Sequence, residues 1–280
     1  MKNKSLSLLF VLSTLCTVVG GQPTNLLPMA KPEAVGLDPK KLEAVDKKME
    51  ALIKENRLTG GTVVIARKGK VAHFETYGLR NREEELPIEK DTIFRIYSMT
   101  KAITSVAALM LWEEEKLDLD DPLSKFFPPL KKMKVWKDGK LIDTKREATV
   151  ADLLRHTSGL TYGWMSSKPI REALRSAGVL DRNKQLIPMM NGMGEVPLQF
   201  QPGSDWVYGC STDVLGGVVE VASGMPFDKF LEERIFKPLK MKDTGFYVPA
   251  DKVNRFAANY NYRKGKLAMI DDPKTSSYLD

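Results

Sequence analysis

The chain has 280 residues, 42% hydrophobic and 28% charged, an ordinary balance for a soluble globular protein with room for one large domain or two small ones. Its two cysteines, Cys16 and Cys210, form no disulfide framework, and its two histidines, His73 and His156, belong to no Cys/His cluster with metal-ligand spacing. A metal-dependent hydrolase is therefore disfavoured, and no metal or organic cofactor is expected. Much of the local excess within the +7 formal charge sits at Lys131, Lys132, Lys134, Lys137 and Lys140. With few aromatics between them, these lysines read as a solvated hairpin and not a nucleic-acid surface, leaving a weak pull towards anionic cell-envelope polymers.

In chain order, Lys2 and Lys4 precede an apolar run, 6–19, and the small residues Gly20 and Gly21. This pattern predicts a secretory signal over 1–21 and an exported protein, periplasmic or secreted. The run is too short and weakly flanked for a transmembrane helix, so no stable membrane insertion is expected after cleavage. Cys16 lacks a lipobox, and cleavage would leave Cys210 as the sole thiol. A polar leader, 22–36, comes next, and one domain fills 37–280.

Asp38 is read as the cap and Pro39 as the first turn of a helix with the apolar stripe Leu42, Val45, Met49, Leu52 and Ile53. Strands 62–67 and 71–77 around Lys68-Gly69 predict an antiparallel hairpin, with His73 structural. Glu83-Glu84-Glu85 is a solvated loop, and 92–96 is a short strand or extended lead-in to an apolar helix reaching Trp112. The acids of 117–122 lack EF-hand spacing and read as a turn. A second hairpin, 135–142, turns on Asp138-Gly139, and Thr149 caps a helix over 150–155. His156 after it reads as structural. Residues 164–200 are rich in Met, Gly and Pro, hold one predicted helix at 170–177, and are expected to wall a pocket. Pro202-Gly203 turns towards Trp206 and Tyr208, Ser211 or Thr212 caps an apolar helix, and a further helix runs from about Met225 to Phe236. No strand is predicted after Phe246.

The chemistry centres on Ser98 and Lys101, three residues apart at the mouth of the apolar helix. That spacing projects both side chains from one face. Serine is a poor nucleophile until a base takes its proton, and a lysine amine held neutral can do so. The helix's free N–H groups can stabilise negative charge on an attacked carbonyl oxygen. The alternative is a simple serine N-cap. Against it, the third residue is Lys101 and not the Glu or Gln of a capping box, and a lysine on an apolar helix is costly without a task. No Gly-x-Ser-x-Gly elbow occurs, which disfavours an α/β-hydrolase.

Four segments follow one another in a familiar order: Tyr97-Ser98-Met99-Thr100-Lys101; Leu153-Leu154-Arg155-His156-Thr157-Ser158-Gly159-Leu160; Pro202-Gly203 with Trp206-Val207-Tyr208; and Pro238-Leu239-Lys240-Met241-Lys242-Asp243-Thr244-Gly245-Phe246. The chain resembles the class C β-lactamase-related serine hydrolases, which include D-alanyl-D-alanine carboxypeptidases, D-aminopeptidases and β-lactamase-like (family VIII) carboxylesterases. The resemblance runs from about residue 37 to the C-terminus. It implies an α+β fold, a β-lactamase/DD-peptidase-like antiparallel sheet flanked by helices beside a mostly helical second lobe. It also implies Ser98 as nucleophile, Lys101 as its partner, and Tyr208, the tyrosine of a Tyr-x-Asn box, as a proton shuttle beside the lysine. The alternative for Tyr208 is a core aromatic beside Trp206.

Two departures shape the expectation. Cys210 stands where that box has asparagine, which favours an esterase over an antibiotic hydrolase. Cys210 as a nucleophile has little support, because neither histidine has a context that points to it. The third box, Lys-Thr-Gly or His-x-Gly, is not found after Phe246. The resemblance therefore implies a chain that lacks the family's C-terminal strands and helix. The resulting expectation is an exported serine hydrolase with a Ser98 acyl-enzyme, acting on small carboxylic esters. The alternatives are a β-lactamase or D-amino-acid peptidase acting on amides or β-lactams, or a non-catalytic penicillin-binding-like scaffold. No nucleic-acid partner is expected.

Overall fold

The computed structural model describes residues 27–179, 181 and 184–279. The expected signal, 1–21, with Cys16, lies outside the described residues. Helix α1 spans Pro39–Lys54. Its start follows the predicted chemistry: the Asp38 carboxylate accepts from the Lys40 N–H at 2.9 Å, and Pro39 occupies the first turn. The helix lies against β1 (Gly60–Arg67) and β2 (Lys70–Asn81), an antiparallel pair. Lys68 and Gly69 both have positive φ, 52° and 67°, as a two-residue hairpin loop that matches strand twist requires. β2 runs past its predicted end at Tyr77 and pairs with β3 (Leu86–Pro87), giving a three-stranded sheet. Part of the expected leader joins this edge: the Ala30 N–H donates to the Val71 carbonyl at 2.9 Å, and Val35 is buried. His73 has the structural role read for it, buried with Nε2 3.1 Å from Asp46 of α1 and 3.3 Å from the Tyr77 hydroxyl.

The second lobe is mostly helical. It contains α2 (Thr100–Glu113), the hairpin β4 (Lys134–Lys137) and β5 (Lys140–Asp143), α3 (Val150–Arg155), α4 (Lys168–Ser176) and α5 (Leu186–Gly192). It is completed by α6 (Ser211–Ser223) and α7 (Phe227–Leu231), which continues into a π-helical turn, Glu232–Phe236. The main core lies here, around Leu111, Phe127, Leu153, Met190, Leu215 and Phe230. α6 is buried along most of its length and needs a small residue where it crosses the core. A Cβ at Gly217 would stand 2.7 Å from Met190 Cγ and 2.9 Å from Phe127 Cζ, closer than side chains tolerate.

The expectation of no strand after Phe246 is corrected by the hairpin β6 (Asn259–Arg263) and β7 (Lys266–Asp271). It turns on Lys264-Gly265, again with positive φ at both positions, 50° and 78°. The hairpin sits beside β2, where the Ala258 N–H donates to the Arg80 carbonyl at 2.8 Å and the Tyr260 hydroxyl bonds Glu83. The named strands are antiparallel throughout and, among the described residues, form one three-stranded and two two-stranded sheets.

The turn before the second lobe's core is held by a buried charge. Asp152 closes a capping box with Thr149 at the start of α3 and accepts from Arg146 at 2.5 Å and from the Thr157 hydroxyl at 2.8 Å. Burial alone would raise its pKa, but the bonds from Arg146, Thr149 and Thr157 win and hold it at about 2. A depressed folded-state pKa stabilises the fold fully above the ordinary aspartate range and loses that contribution as pH falls towards about 2. Arg146→Ala is expected to cost about 2 kcal/mol at pH 7 and clearly less near pH 3. Urea unfolding at the two pH values measures this; an equal loss at both would show that the pair does not carry the effect.

Candidate active site

The approach to Ser98 is extended and externally held. The Ile93 N–H donates to the Arg255 carbonyl, and the Ala257 N–H donates to the Ile93 carbonyl, both at 2.9 Å. Of the two readings for 92–96, the extended lead-in holds, with one isolated bridge and no sheet strand. Arg95 pairs with Asp271, donates to Ser276 Oγ at 3.2 Å and lies 3.9 Å over the Phe256 ring. The chain then tightens into a single 3₁₀ turn, Tyr97–Met99, before α2 begins. Tyr97 takes a left-handed φ of 40°, a conformation that costs a non-glycine residue of order 1–3 kcal/mol unless its surroundings impose it. Its hydroxyl accepts from Asn259 of β6 at 2.5 Å.

Ser98 lies in that turn, and no side-chain cap bond is made there or at the start of α2. The simple-cap alternative therefore fails. The Ser98 hydroxyl instead receives two donors: Lys101 Nζ at 3.3 Å and the Tyr208 hydroxyl at 2.5 Å. Lys101 is half-buried and its Nζ lies 4.8 Å from the Tyr208 ring centroid. Hydrogen bonding to Lys101, then to Ser98, holds the Tyr208 phenol below the usual tyrosine range. All three residues named from sequence thus meet at one point.

Tyr208 reaches Ser98 because the chain after it passes unusually close to another segment. A Cβ at Gly209 would lie 2.3 Å from the Leu160 carbonyl oxygen and 2.5 Å from Thr161 Cα. Cys210 turns away into the core, its thiol 3.4 Å from the Thr161 carbonyl and its pKa pushed up by burial. It is not the nucleophile and lines no part of the cleft. His156 ends α3 with a φ of 58° and stacks on the Tyr208 ring at 5.2 Å. Burial, then the charge of Lys101, pushes its pKa down, so it braces Tyr208 as a neutral ring.

Three site residues escaped the sequence reading. Tyr162 accepts from Lys101 Nζ at 3.5 Å and donates to Asp213 Oδ2 at 3.2 Å. Trp164 stacks on Tyr162 at 4.4 Å and remains 72% exposed, a flat indole at the cleft rim. Asp213 projects from the first turn of α6. The available signal was the run Tyr162-Gly163-Trp164 directly after the Leu160 motif. Burial pushes the Tyr162 phenol far up, and it pushes the Asp213 carboxyl up against the pull of Lys101. The cleft holds about 1240 Å³, and its lining includes the apolar Leu186, Met189, Phe227, Met241 and Phe246. No group of three His, Cys, Asp or Glu among the described residues could hold a metal. An activated serine beside an apolar cleft can perform nucleophilic acyl transfer.

The chain is similar to proteins already known. The family model described as Beta-lactamase matches residues 45–277. The chain is 34% identical over 235 residues to esterase EstB of Burkholderia gladioli, covering 82% of this chain and 57% of that protein. The solved structure of EstCE1, described as a hydrolase with promiscuous acyltransferase activity, superposes with a TM-score of 0.72 at 28% identity, covering 84% of this chain and 59% of that one. Simvastatin synthase of Aspergillus terreus superposes with a TM-score of 0.69, also at 28% identity, covering 84% of this chain and 60% of that one. The chain spans about half the length of the curated relatives it matches.

The opposite environments of the cleft phenols give a direct test. Tyr208 is expected to ionise first among Tyr77, Tyr162, Tyr208 and Tyr260, since the other three are pushed up. Ultraviolet difference titration should lose this early phenol in Tyr208→Phe and move it towards the ordinary range in Lys101→Ala. An early phase that survives Tyr208→Phe would remove the assignment.

Proposed function

The chain belongs to the β-lactamase family, and from this we propose that it acts as a serine hydrolase on small carboxylic esters, through an acyl-enzyme formed on Ser98. One observation carries the reading: the Ser98 hydroxyl lies within hydrogen-bond reach of both Lys101 and Tyr208 at the edge of an apolar cleft. The Lys101–Tyr208 pair, once it has given up one proton, takes the Ser98 proton as Oγ attacks the ester carbonyl. The same proton passes to the leaving alkoxide as the C–O bond breaks. Water then attacks the Ser98 ester, giving one proton to the pair, and the pair returns it to Ser98 as the carboxylic acid leaves. The positive end of α2 beside Ser98 favours the transient oxyanion.

Esters are favoured over β-lactams because the position that carries an amide in the family's second box is a buried cysteine turned away from the cleft. Relatives named as esterases, EstB and a lovastatin esterase, support the same choice. A second reading is transfer of the acyl group to an alcohol in place of water. The apolar residues lining the cleft and the relatives named as methylbutanoyltransferases support it. The intact trio at Ser98 counts against a non-catalytic scaffold. The basic and apolar N-terminal pattern supports export to the periplasm or medium.

A fluorophosphonate probe should add one adduct mass, localised to the peptide containing Ser98, and Ser98→Ala should abolish it. Ser98→Ala is expected to lower p-nitrophenyl acetate turnover by about 10⁴-fold or more. Lys101→Ala and Tyr208→Phe should each cost heavily, with the double variant far better than the summed losses, because the members of one catalytic unit are not additive. An adduct retained in Ser98→Ala, or additive losses, would overturn the mechanism.

A further inference from the structure

The site contains a carboxylate that the proposed chemistry does not use. Asp213, in the first turn of α6, accepts from the Tyr162 hydroxyl at 3.2 Å, and Tyr162 stands 3.5 Å from Lys101 Nζ. A phenol has one proton to donate. With that proton committed to Asp213, the Tyr162 oxygen can only accept from Lys101. Burial keeps Tyr162 protonated, so this polarity holds for as long as Asp213 stays ionised. The stacked Trp164 ring, 4.4 Å away, fixes the plane of the Tyr162 ring.

The ammonium is thus held between two oxygens, Ser98 Oγ at 3.3 Å and Tyr162 OH at 3.5 Å, while its charge lies 4.8 Å from the Tyr208 ring and 5.8 Å from the Tyr162 ring. Without the Asp213 acceptor, the Tyr162 O–H would be free to rotate and Lys101 would lose a defined second anchor. A four-carbon side chain with free rotation in a wide cleft is a poor proton partner.

We propose that Asp213 is a positioning residue for acyl transfer, acting through the Tyr162 hydroxyl to fix the direction from which Lys101 meets Ser98. This rests on the serine-hydrolase reading. The competing role for Asp213 is structural, an acid in the first turn of α6 that favours the helix dipole. A dipole role would alter stability but not the pH profile of turnover. The ionisable groups facing Asp213 are Lys101 from α2, Tyr162 from the segment after α3, and Tyr208 and Cys210 from the segment before α6. Because burial raises the Asp213 carboxyl above the ordinary range, activity should fall on the acid side as Asp213 takes a proton.

The test uses the full chain with p-nitrophenyl acetate, comparing Asp213→Asn, Tyr162→Phe and the double variant. Each single variant is expected to lower kcat by about 10²-fold with KM little changed. Asp213→Asn should also displace the acid limb of the pH–rate profile. The double variant should be no worse than about the poorer single, because both act along one path. Thermal melts identify a variant that fails to fold; Tyr162→Phe removes the link without removing a buried charge and then decides alone. An unchanged kcat and pH profile in folded Tyr162→Phe, or additive losses in the double variant, would overturn the positioning role while leaving the Ser98 adduct and the hydrolase reading intact. A parent chain that forms no Ser98 adduct would overturn both.

Discussion

The contact between the Tyr208 and Ser98 hydroxyls joins positions 110 residues apart, and the rest of the second lobe is arranged to permit it. Ser98 precedes α2 and Tyr208 precedes α6, so their separation is set by how closely the two helices pack. Small, buried residues on both helices let the core close around them: Ala107 and Ala108 on α2, and on α6 Gly216 and Gly217, where a Cβ would meet Phe227 and, more closely, Met190 and Phe127. Gly209 then brings the Tyr208 segment onto the backbone of Leu160 and Thr161, where any side chain would collide. Close-packed interiors transmit such changes with little relaxation. A larger residue at these positions would displace a hydroxyl whose usefulness depends on fractions of an ångström.

The second anchor comes from the opposite direction in sequence. The segment around Arg255–Ala257 binds the lead-in, Arg95 ties that lead-in to β7 and Ser276, and Asn259 reaches the Tyr97 hydroxyl. Left-handed Tyr97 immediately before Ser98 is a local cost that these contacts maintain. The serine is therefore set between a helix held by the core and a turn held by the β6–β7 hairpin, and the two constraints fix its hydroxyl before any substrate arrives.

Local chemistry was legible in the sequence. The Asp38-Pro39 start of α1, the Thr149 box of α3 and two hairpins on Lys68-Gly69 and Asp138-Gly139 depend on neighbours within a few residues. Ser98 and Lys101 were legible for the same reason, and Tyr208 through the order of its neighbouring boxes. What escaped depends on long-range contact or weak contrast. The β6–β7 hairpin alternates Asn with Tyr and leaves both Tyr262 and Ile270 exposed, so its faces differ little in polarity. Helix α5 carries Pro188 and ends on Gly192, residues that argue against a helix, yet Pro188 falls in the first turn, where its missing N–H has no partner to lose. Tyr162 and Asp213 share no local pattern; they meet beside Lys101 through contacts 61 and 51 residues apart in sequence.

Two tyrosines beside one lysine would be interchangeable if proximity alone set their roles, and burial separates them. Tyr208 is exposed enough that hydrogen bonding to Lys101 and Ser98 prevails, which favours its phenolate. Tyr162 is buried and faces the Asp213 carboxyl, so its proton is kept. Sites that perform acid and base chemistry with similar groups divide the work by pushing their pKa values apart. The division here follows from the two segments that Gly209 brings together: one ends at the open cleft beside Ser98, the other is enclosed beneath Trp164 and against α6. A mobile proton belongs on the first phenol and a fixed one on the second, and exchanging their environments would leave Lys101 with two shuttles and no anchor, or two anchors and no shuttle.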